Sequence, residues 1–270
     1  MSKPFILGWW SAGITSAVAC KIALDLYKNV ELYYIHIDTA HPDNDRFKAD
    51  CEDWYKVKIK TLKSKTFKDQ FEVIKNTRLV NTPTGARCTF ELKKKVRFDF
   101  EKRHQLTLTN TKLIKHQVWG YEFDKVQVNR AIRHLQQYRE TNPLFPLIEK
   151  GITKNMAAGM LEQVGIELPI MYKMGYQNNN CIACVKGSSG YWNKIRRDFP
   201  EYFNKMANLE IEIGNSCISG TFLKELHPYK GKMKKEVMPD CGVLCEVEFA
   251  HIPDRNLGDI LAGRKSIYEV

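Results

Sequence analysis

The sequence predicts an α/β fold: a doubly wound, mostly parallel five-stranded sheet with a smaller cysteine-containing C-terminal module. Three observations carry that prediction. Short apolar runs alternate with stretches of helical periodicity over the first 150 residues. Small, hydroxyl-bearing or turn-forming residues sit just after the apolar runs, where such sheets bind ligands. Beyond Pro169 the texture changes: Gly, Asn and Cys become frequent and regular periodicity fades until residue 191.

Taken in order, residues 5–9 read as a buried first strand and 17–27 as the first helix. Residues 31–37 form a second strand ending at Asp38 and Thr39, and 47–54 a helix. Residues 55–59 alternate as a third, half-exposed strand. A short helix covers 67–76, turn residues mark 81–85 as a loop, and 89–103 is a basic helix. The fourth strand spans 112–119 and stops at Gly120; 124–139 is a helix with an acidic start. Residues 145–148 read as one more short extended piece. Helix 153–164 has Thr153 as N-cap and Gly165 just past its end. A boundary falls within 150–170, giving a nucleotide-binding α/β domain over 1–160 and a Cys-rich, mainly helical or irregular module over 161–270.

The chain has 270 residues and is 43% hydrophobic, enough for a sizeable core. No apolar run approaches the ~20 residues that span a bilayer, and no secretory segment precedes the first strand. The expected setting is the cytoplasm, or the host cytoplasm for a viral protein, with no membrane partner. Eight cysteines there read as reduced, ligating or catalytic rather than disulfide-bonded. The net charge is +11, and residues 56–103 hold 15 Lys/Arg against 5 Asp/Glu, so nearly all the excess lies in one stretch. That stretch suits a phosphate-rich partner, either a nucleotide or a nucleic acid; a solvated helix face is the plain alternative. Nothing in the sequence separates a monomer from a homodimer.

The richest segment is Ser11, Ala12, Gly13, Ile14, Thr15 and Ser16, lying between the first strand and the first helix. Backbone N–H groups at a helix start, aided by the helix dipole, hold phosphate. Gly13 lets the backbone approach an anion, and three hydroxyls add donors. An ordinary βα turn with a serine cap would use the same residues.

This segment resembles the PP-loop, Ser-Gly-Gly-x-Asp/Thr-Ser, of the ATP pyrophosphatase superfamily. Arg87-Cys88-Thr89-Phe90-Glu91-Leu92-Lys93 resembles the Cys-Thr-x-x-Leu-Lys element of its phosphoadenosine phosphosulfate (PAPS) reductase-like branch. Trp119-Gly120-Tyr121, with Asp124 and Arg130, is similar to that branch's Gly-x-Arg…Glu…Arg segment, with Tyr121 in place of the arginine. The block from Gly175 through Cys181, Cys184 and Gly187 to Arg196 is similar to small PAPS reductase-domain proteins of phages and mobile elements. The resemblance implies nucleotide contacts at Ser11–Ser16, Asp38, Thr39, Gly120, Tyr121 and Arg130, catalytic roles for Cys88 and Lys93, and ATP or PAPS with Mg²⁺ as cofactors. Ala12 replaces a glycine, and its methyl is accommodated only if that residue has φ below zero. The family's near-terminal Glu-Cys-Gly-x-His element has no counterpart here, which favours ATP activation over sulfonucleotide reduction.

Cys181 with Cys184 and Cys241 with Cys245 form two close pairs. Four thiolates suit Zn²⁺ or an iron–sulfur cluster; a redox pair and buried unligated thiols are the alternatives. The resemblance to DNA-sulfur-modification and tRNA-thiolation relatives favours iron–sulfur. Cys88 has Arg87 beside it and Lys93, Lys94 and Lys95 beyond, which lowers a thiol pKa and suits a nucleophile or sulfur carrier; a small packing residue beside a substrate-binding turn is the alternative. Cys217 is a spare ligand candidate, and Cys20 and Cys51 read as core. Lys93, Arg130 and Arg133 are anion candidates. One of Trp9 and Trp10 is core and the other could stack on a base. Residues 191–197 mix aromatics with cations, suiting either nucleic acid or helix packing.

Three functions stay open at this stage. The first is an enzyme that cleaves ATP between the α and β phosphates to adenylate or activate an acceptor, linked to sulfur transfer. The second is a PAPS or adenylylsulfate reductase. The third is a non-catalytic nucleotide- or nucleic-acid-binding protein, with tRNA or DNA on the basic stretch.

Overall fold

The computed structural model describes residues 4–82, 85–104, 113–179 and 181–232. The strands are β1 (Phe5–Trp10), β2 (Val30–Ile35), β3 (Ile59–Leu62), β4 (Asn81–Thr82), β5 (Gly85–Ala86), β6 (Ile114–Val118) and β7 (Pro143–Leu144). The helices are α1 (Ile14–Leu26), α2 (Asp43–Tyr55), α3 (Gln70–Thr77), α4 (Arg87–Thr89), α5 (Lys95–Arg103), α6 (Lys125–Gln137), α7 (Pro146–Glu149), α8 (Lys154–Gln163), α9 (Ile170–Lys173), α10 (Ser189–Asp198) and α11 (Pro200–Ile213). Five strands form one sheet in the order β3-β2-β1-β6-β7, and every pairing in it is parallel. β4 and β5 pair antiparallel as a separate hairpin.

All six residues of β1 are buried, as a central parallel strand covered on both faces must be. Its side chains alternate. Ile6 and Trp10 join α1, α2 and α8 on one face. Phe5, Leu7 and Trp9 join Phe100 of α5 and Ile114 on the other. α8 packs on α1. A further core joins Phe71, Ile74, Cys88 and Leu92 to Met171, Trp192, Ile195, Phe203 and Met206. α3 and α4 thus share this core with the C-terminal helices.

Several elements differ from their sequence-predicted limits. The third strand lies at Ile59–Leu62, because α2 runs on to Tyr55 and ends at Lys56 in a left-handed conformation. The final strand is Pro143–Leu144, and Pro146 then opens a short helix where extended chain was expected. The basic helix is interrupted: Phe90–Lys94 forms a π-turn between α4 and α5. Residues 191–209 make two helices, broken where Phe199 precedes Pro200. The predicted cap at Thr153 accepts from Met156 N–H, and the acidic start at Asp124 is itself a cap, accepting from Val126 and Gln127 N–H.

Candidate ligand cleft at the strand-order reversal

β1 hands over to α1 within three residues, and the sheet order reverses beside β1, where an α/β sheet opens a crevice. Ser16 clamps this loop. Its Oγ accepts from the Ser11 N–H and the Ser11 hydroxyl, each at 3.0 Å, and its own hydroxyl donates to Gly13 O at 2.9 Å. Ser16 is buried, whereas Ser11 is exposed and lines the cleft. The first turn of α1 carries no acidic side chain, so the positive end of its dipole is uncompensated by carboxylate.

Ala12 overturns the expectation of negative φ: it sits at φ +59°. A chain that turns from strand to helix this sharply needs one left-handed step, and Ala12 supplies it at a cost of about 1–2 kcal/mol relative to glycine. Its methyl is fully buried in the core, and the Asn179 amide donates to its carbonyl at 2.6 Å. On the other side of the loop, Gly120 touches the backbone of Thr15 and Ser16. A Cβ on Gly120 would lie 2.6 Å from both Ser16 N and Ser16 Cα.

The cleft above this loop has a volume of 520 Å³. Lys93, Lys94, Arg97, Arg130 and Arg133 line it, and among the described lining residues there is no Asp or Glu. Such a wall raises the local concentration of anions. Lys93 and Lys94 reach it from the π-turn, a distortion that recurs at functional sites. Trp9 and Trp10 both line the cleft and both are buried: Trp10 stacks on Phe47, and Trp9 Nε1 donates to Gln117 Oε1 at 2.9 Å. Neither presents an open stacking face. Tyr121 and Arg130 are in the cleft together, with the guanidinium 4.5 Å from the Tyr121 ring centre.

Three of the sequence-predicted site residues stand elsewhere. Asp38 faces Lys63 at 3.1 Å and His36 at 3.3 Å, outside the cleft lining. Thr39 is buried: its hydroxyl bonds Gln70 Oε1, and its carbonyl accepts the Ile182 N–H at 2.8 Å. It fastens the cysteine loop rather than facing a ligand. Cys88 is packed in the second core, and burial pushes its thiol up to about 11 despite Lys186 and Lys93 nearby. The lowered pKa expected from its sequence neighbours is overturned, because desolvation of a thiolate outweighs those cations.

The Cys181–Cys184 turn is stitched to α3 and α10. Gln70 donates to Ile182 O at 2.7 Å, and Cys184 N–H donates to the Tyr191 hydroxyl at 2.9 Å. Ala183 inside the turn is left-handed, at φ +60°. Cys181 lines the cleft. A hydrogen bond from Cys181 holds the Cys184 thiol below its ordinary value, with help from the Lys186 backbone N–H and from Lys93; Cys181 is pushed up in return. Cys241 and Cys245 lie outside the described residues. Among the described residues no three His, Cys, Asp or Glu side chains converge as metal ligands do. The aromatic–cation segment resolves as packing: Trp192 and Ile195 are fully buried, Lys194 pairs with Asp198, and Arg196 donates to Leu223 O and Leu226 O.

Sequence reasoning missed Arg97, Trp119, His134 and Asn179. His134 and Arg97 each lie on a helix whose charge pattern reads as solvated, and only the fold turns them inward. Arg97 stacks on Phe98, Tyr138 and Trp119. His134 is buried beside Tyr121, whose hydroxyl is 3.3 Å from Nδ1; burial, then Arg97 and Arg130, lower its pKa to about 4.

Fold and site together define an α/β protein with an electropositive ligand cleft at the carboxyl ends of its parallel strands. No family model matches the sequence, and no curated protein matches it. Among solved structures, the U34-tRNA thiolase NcsA from Methanococcus maripaludis, with its [4Fe-4S] cluster, is similar at 12% identity and a TM-score of 0.37, covering 87% of this chain and 84% of that one. The fold assignment stands on the sheet topology of this chain.

Proposed function

We propose that the chain binds ATP in this cleft, cleaves it between the α and β phosphates, and so activates an acceptor. An acceptor oxygen attacks the α phosphorus, the bond from that phosphorus to the α–β bridging oxygen breaks, and pyrophosphate leaves along Ser11–Ser16. The observation that carries the reading is the clamped loop at the strand-order reversal, opening into a cleft with five cations and no described carboxylate. Lys93 and Lys94, which line the cleft, would neutralise the charge that develops on the leaving group. The loop's resemblance to the PP-loop supports the same step, with Mg²⁺ as the metal such chemistry uses.

Cys181 at the cleft wall links the site to sulfur chemistry. Cys181 and Cys184 would supply two ligands to an iron–sulfur cluster or Zn²⁺, with Cys241 and Cys245 as the remaining candidates. The hydrogen bond between the two thiols brings Cys181 and Cys184 close enough to share one metal, which supports them as two ligands of such a set. A nucleic-acid acceptor, tRNA or DNA, would engage the basic stretch 56–103.

The test is pyrophosphate release from ATP by the full chain, with ATP affinity measured by calorimetry. The double variant Ser11→Ala, Ser16→Ala is expected to lose ATP binding at least 10-fold; unchanged affinity overturns the assignment of the loop. A second reading, reduction of a sulfonucleotide, is favoured by Cys181 at the cleft wall with Cys184 bonded to it. It requires Cys181 or Cys184 rather than the buried Cys88 as the attacking thiol. Sulfite release from PAPS with a thiol donor identifies it.

A further inference from the structure

One wall of the cleft carries donors that no described residue satisfies. Arg97 Nε and Nη2, Trp119 Nε1 and His134 Nε2 are each buried, and none has a hydrogen-bond partner among the described residues. All three residues line the cleft. Arg97 and His134 are each only 7% exposed. Buried N–H groups are almost always paired, and clustered exceptions in one cleft mark a place where a ligand supplies the acceptors.

The donors are also held in place. The Arg97 guanidinium lies 4.6 Å from the Phe98 and Tyr138 ring centres and 5.3 Å from that of Trp119. Its Nε faces Glu101 at 3.2 Å, and Glu101 in turn accepts from Gln117 Nε2 at 2.8 Å. Gln117 is anchored to Trp9. This relay holds the guanidinium by an ion pair, while both its Nε and its Nη2 lack a hydrogen-bond partner among the described residues. The Tyr121 hydroxyl meets His134 Nδ1, so donation there leaves the ring proton on Nε2. Burial keeps that imidazole neutral, so it serves as a donor without adding charge. Glu101 balances Arg97, while Arg130 and Arg133 at the exposed rim supply the net positive charge.

We propose that Arg97, Trp119 and His134, with Arg130 at the rim, form an oxyanion subsite that takes a phosphate-monoester or sulfate group of a second substrate. Three N–H donors from three elements match a tetrahedral oxyanion, which offers acceptors in several directions at once. The subsite uses β6, α5 and α6 and none of the loop's hydroxyls, so it does not depend on the nucleotide reading of Ser11–Ser16.

The experiment titrates the full chain with sodium sulfate and inorganic phosphate by calorimetry, in the Ser11→Ala, Ser16→Ala background that removes the loop as a competing anion site. One sulfate site is expected to remain. Trp119→Phe, which keeps the ring and deletes one donor, is expected to weaken it 3–10-fold, and Arg97→Met at least 10-fold. Adenosine 5′-monophosphate binding tighter than phosphate would identify a nucleotide-borne group; equal affinity would identify the free anion. Unchanged sulfate affinity in Trp119→Phe overturns the proposal, even if Arg97→Met fails to fold. Complete loss of sulfate binding in the loop background also overturns it, and acetate binding as tightly as sulfate would make this a carboxylate site instead. Loss or retention of ATP binding in the loop variant decides the other reading separately.

Discussion

Replacing Gly120 by alanine adds one methyl group at the tightest point of the site. Gly120 does not adopt a left-handed conformation, so the substitution tests sterics alone. The new Cβ would stand 2.6 Å from Ser16 N and Cα and 2.9 Å from Thr15 C. Ordinary contact begins at 3.4 Å, so the α1 start must move by about 0.8 Å. Ser16 makes its three bonds at 2.9–3.0 Å, and a shift of that size carries them to the edge of the hydrogen-bond range. Losing two such bonds costs about 2 kcal/mol, and crowding a packed backbone adds about 1–2 kcal/mol. The expected destabilisation is therefore about 3–4 kcal/mol, a fall in Tm of roughly 6–16 °C for a chain of this size. Pyrophosphate affinity is expected to drop at least 10-fold with it. Thermal unfolding followed by circular dichroism, together with pyrophosphate calorimetry, measures both. A variant with unchanged Tm and unchanged affinity would refute the argument that Gly120 sets the position of the loop.

Ala12→Gly is expected to change stability by less than about 1 kcal/mol, because relief of the left-handed alanine is offset by the lost methyl burial. Ala12→Val is expected to cost at least ~3 kcal/mol, since a β-branched residue at φ +59° has no room in a fully buried site; urea unfolding of both variants checks the pair, and a tolerated valine would contradict the geometry. His134 gives a pH signature. Its folded pKa of about 4 lies below the ordinary 6.5, so the unfolded chain binds a proton that the folded chain refuses between those values. Its contribution is fully present above pH 6.5 and declines as the pH falls toward 4. His134→Gln should flatten the Tm profile across that window, and an unchanged slope would count against a neutral buried imidazole. Cys184 should react with iodoacetamide at pH 7 faster than Cys88, Cys20 or Cys51, whose thiols burial pushes up. Cys181→Ala should slow it by removing the stabilising hydrogen bond; peptide mass spectrometry reads both, and equal labelling of Cys184 and Cys88 would sink the assignment.

The alternation of strands and helices, and β1 with its following loop, are legible in the sequence because their signals are local, whereas the limits of β3 and β7 are not. A six-residue apolar run, small residues behind it and a helical pattern beyond can be read without knowing what packs where. The same holds for the caps at Asp124 and Thr153, and for the tandem placement of Ser11–Ser16, Gly120 and Tyr121 at strand ends. Tertiary structure decided what each of these residues does. Asp38, Thr39 and Cys88 have motif neighbours that point to chemistry, yet Lys63, the Cys181 turn and the second core take them away from the cleft. Ala12 reads as a residue that needs negative φ, and only the three-residue handover from β1 to α1 forces the opposite. Arg97 and His134 look like surface residues of basic helices. They become a buried wall of the cleft, with N–H groups that no described residue accepts from, because α5 and α6 close on β6 from residues far apart in sequence. Burial and convergence are long-range quantities, which no window of sequence contains.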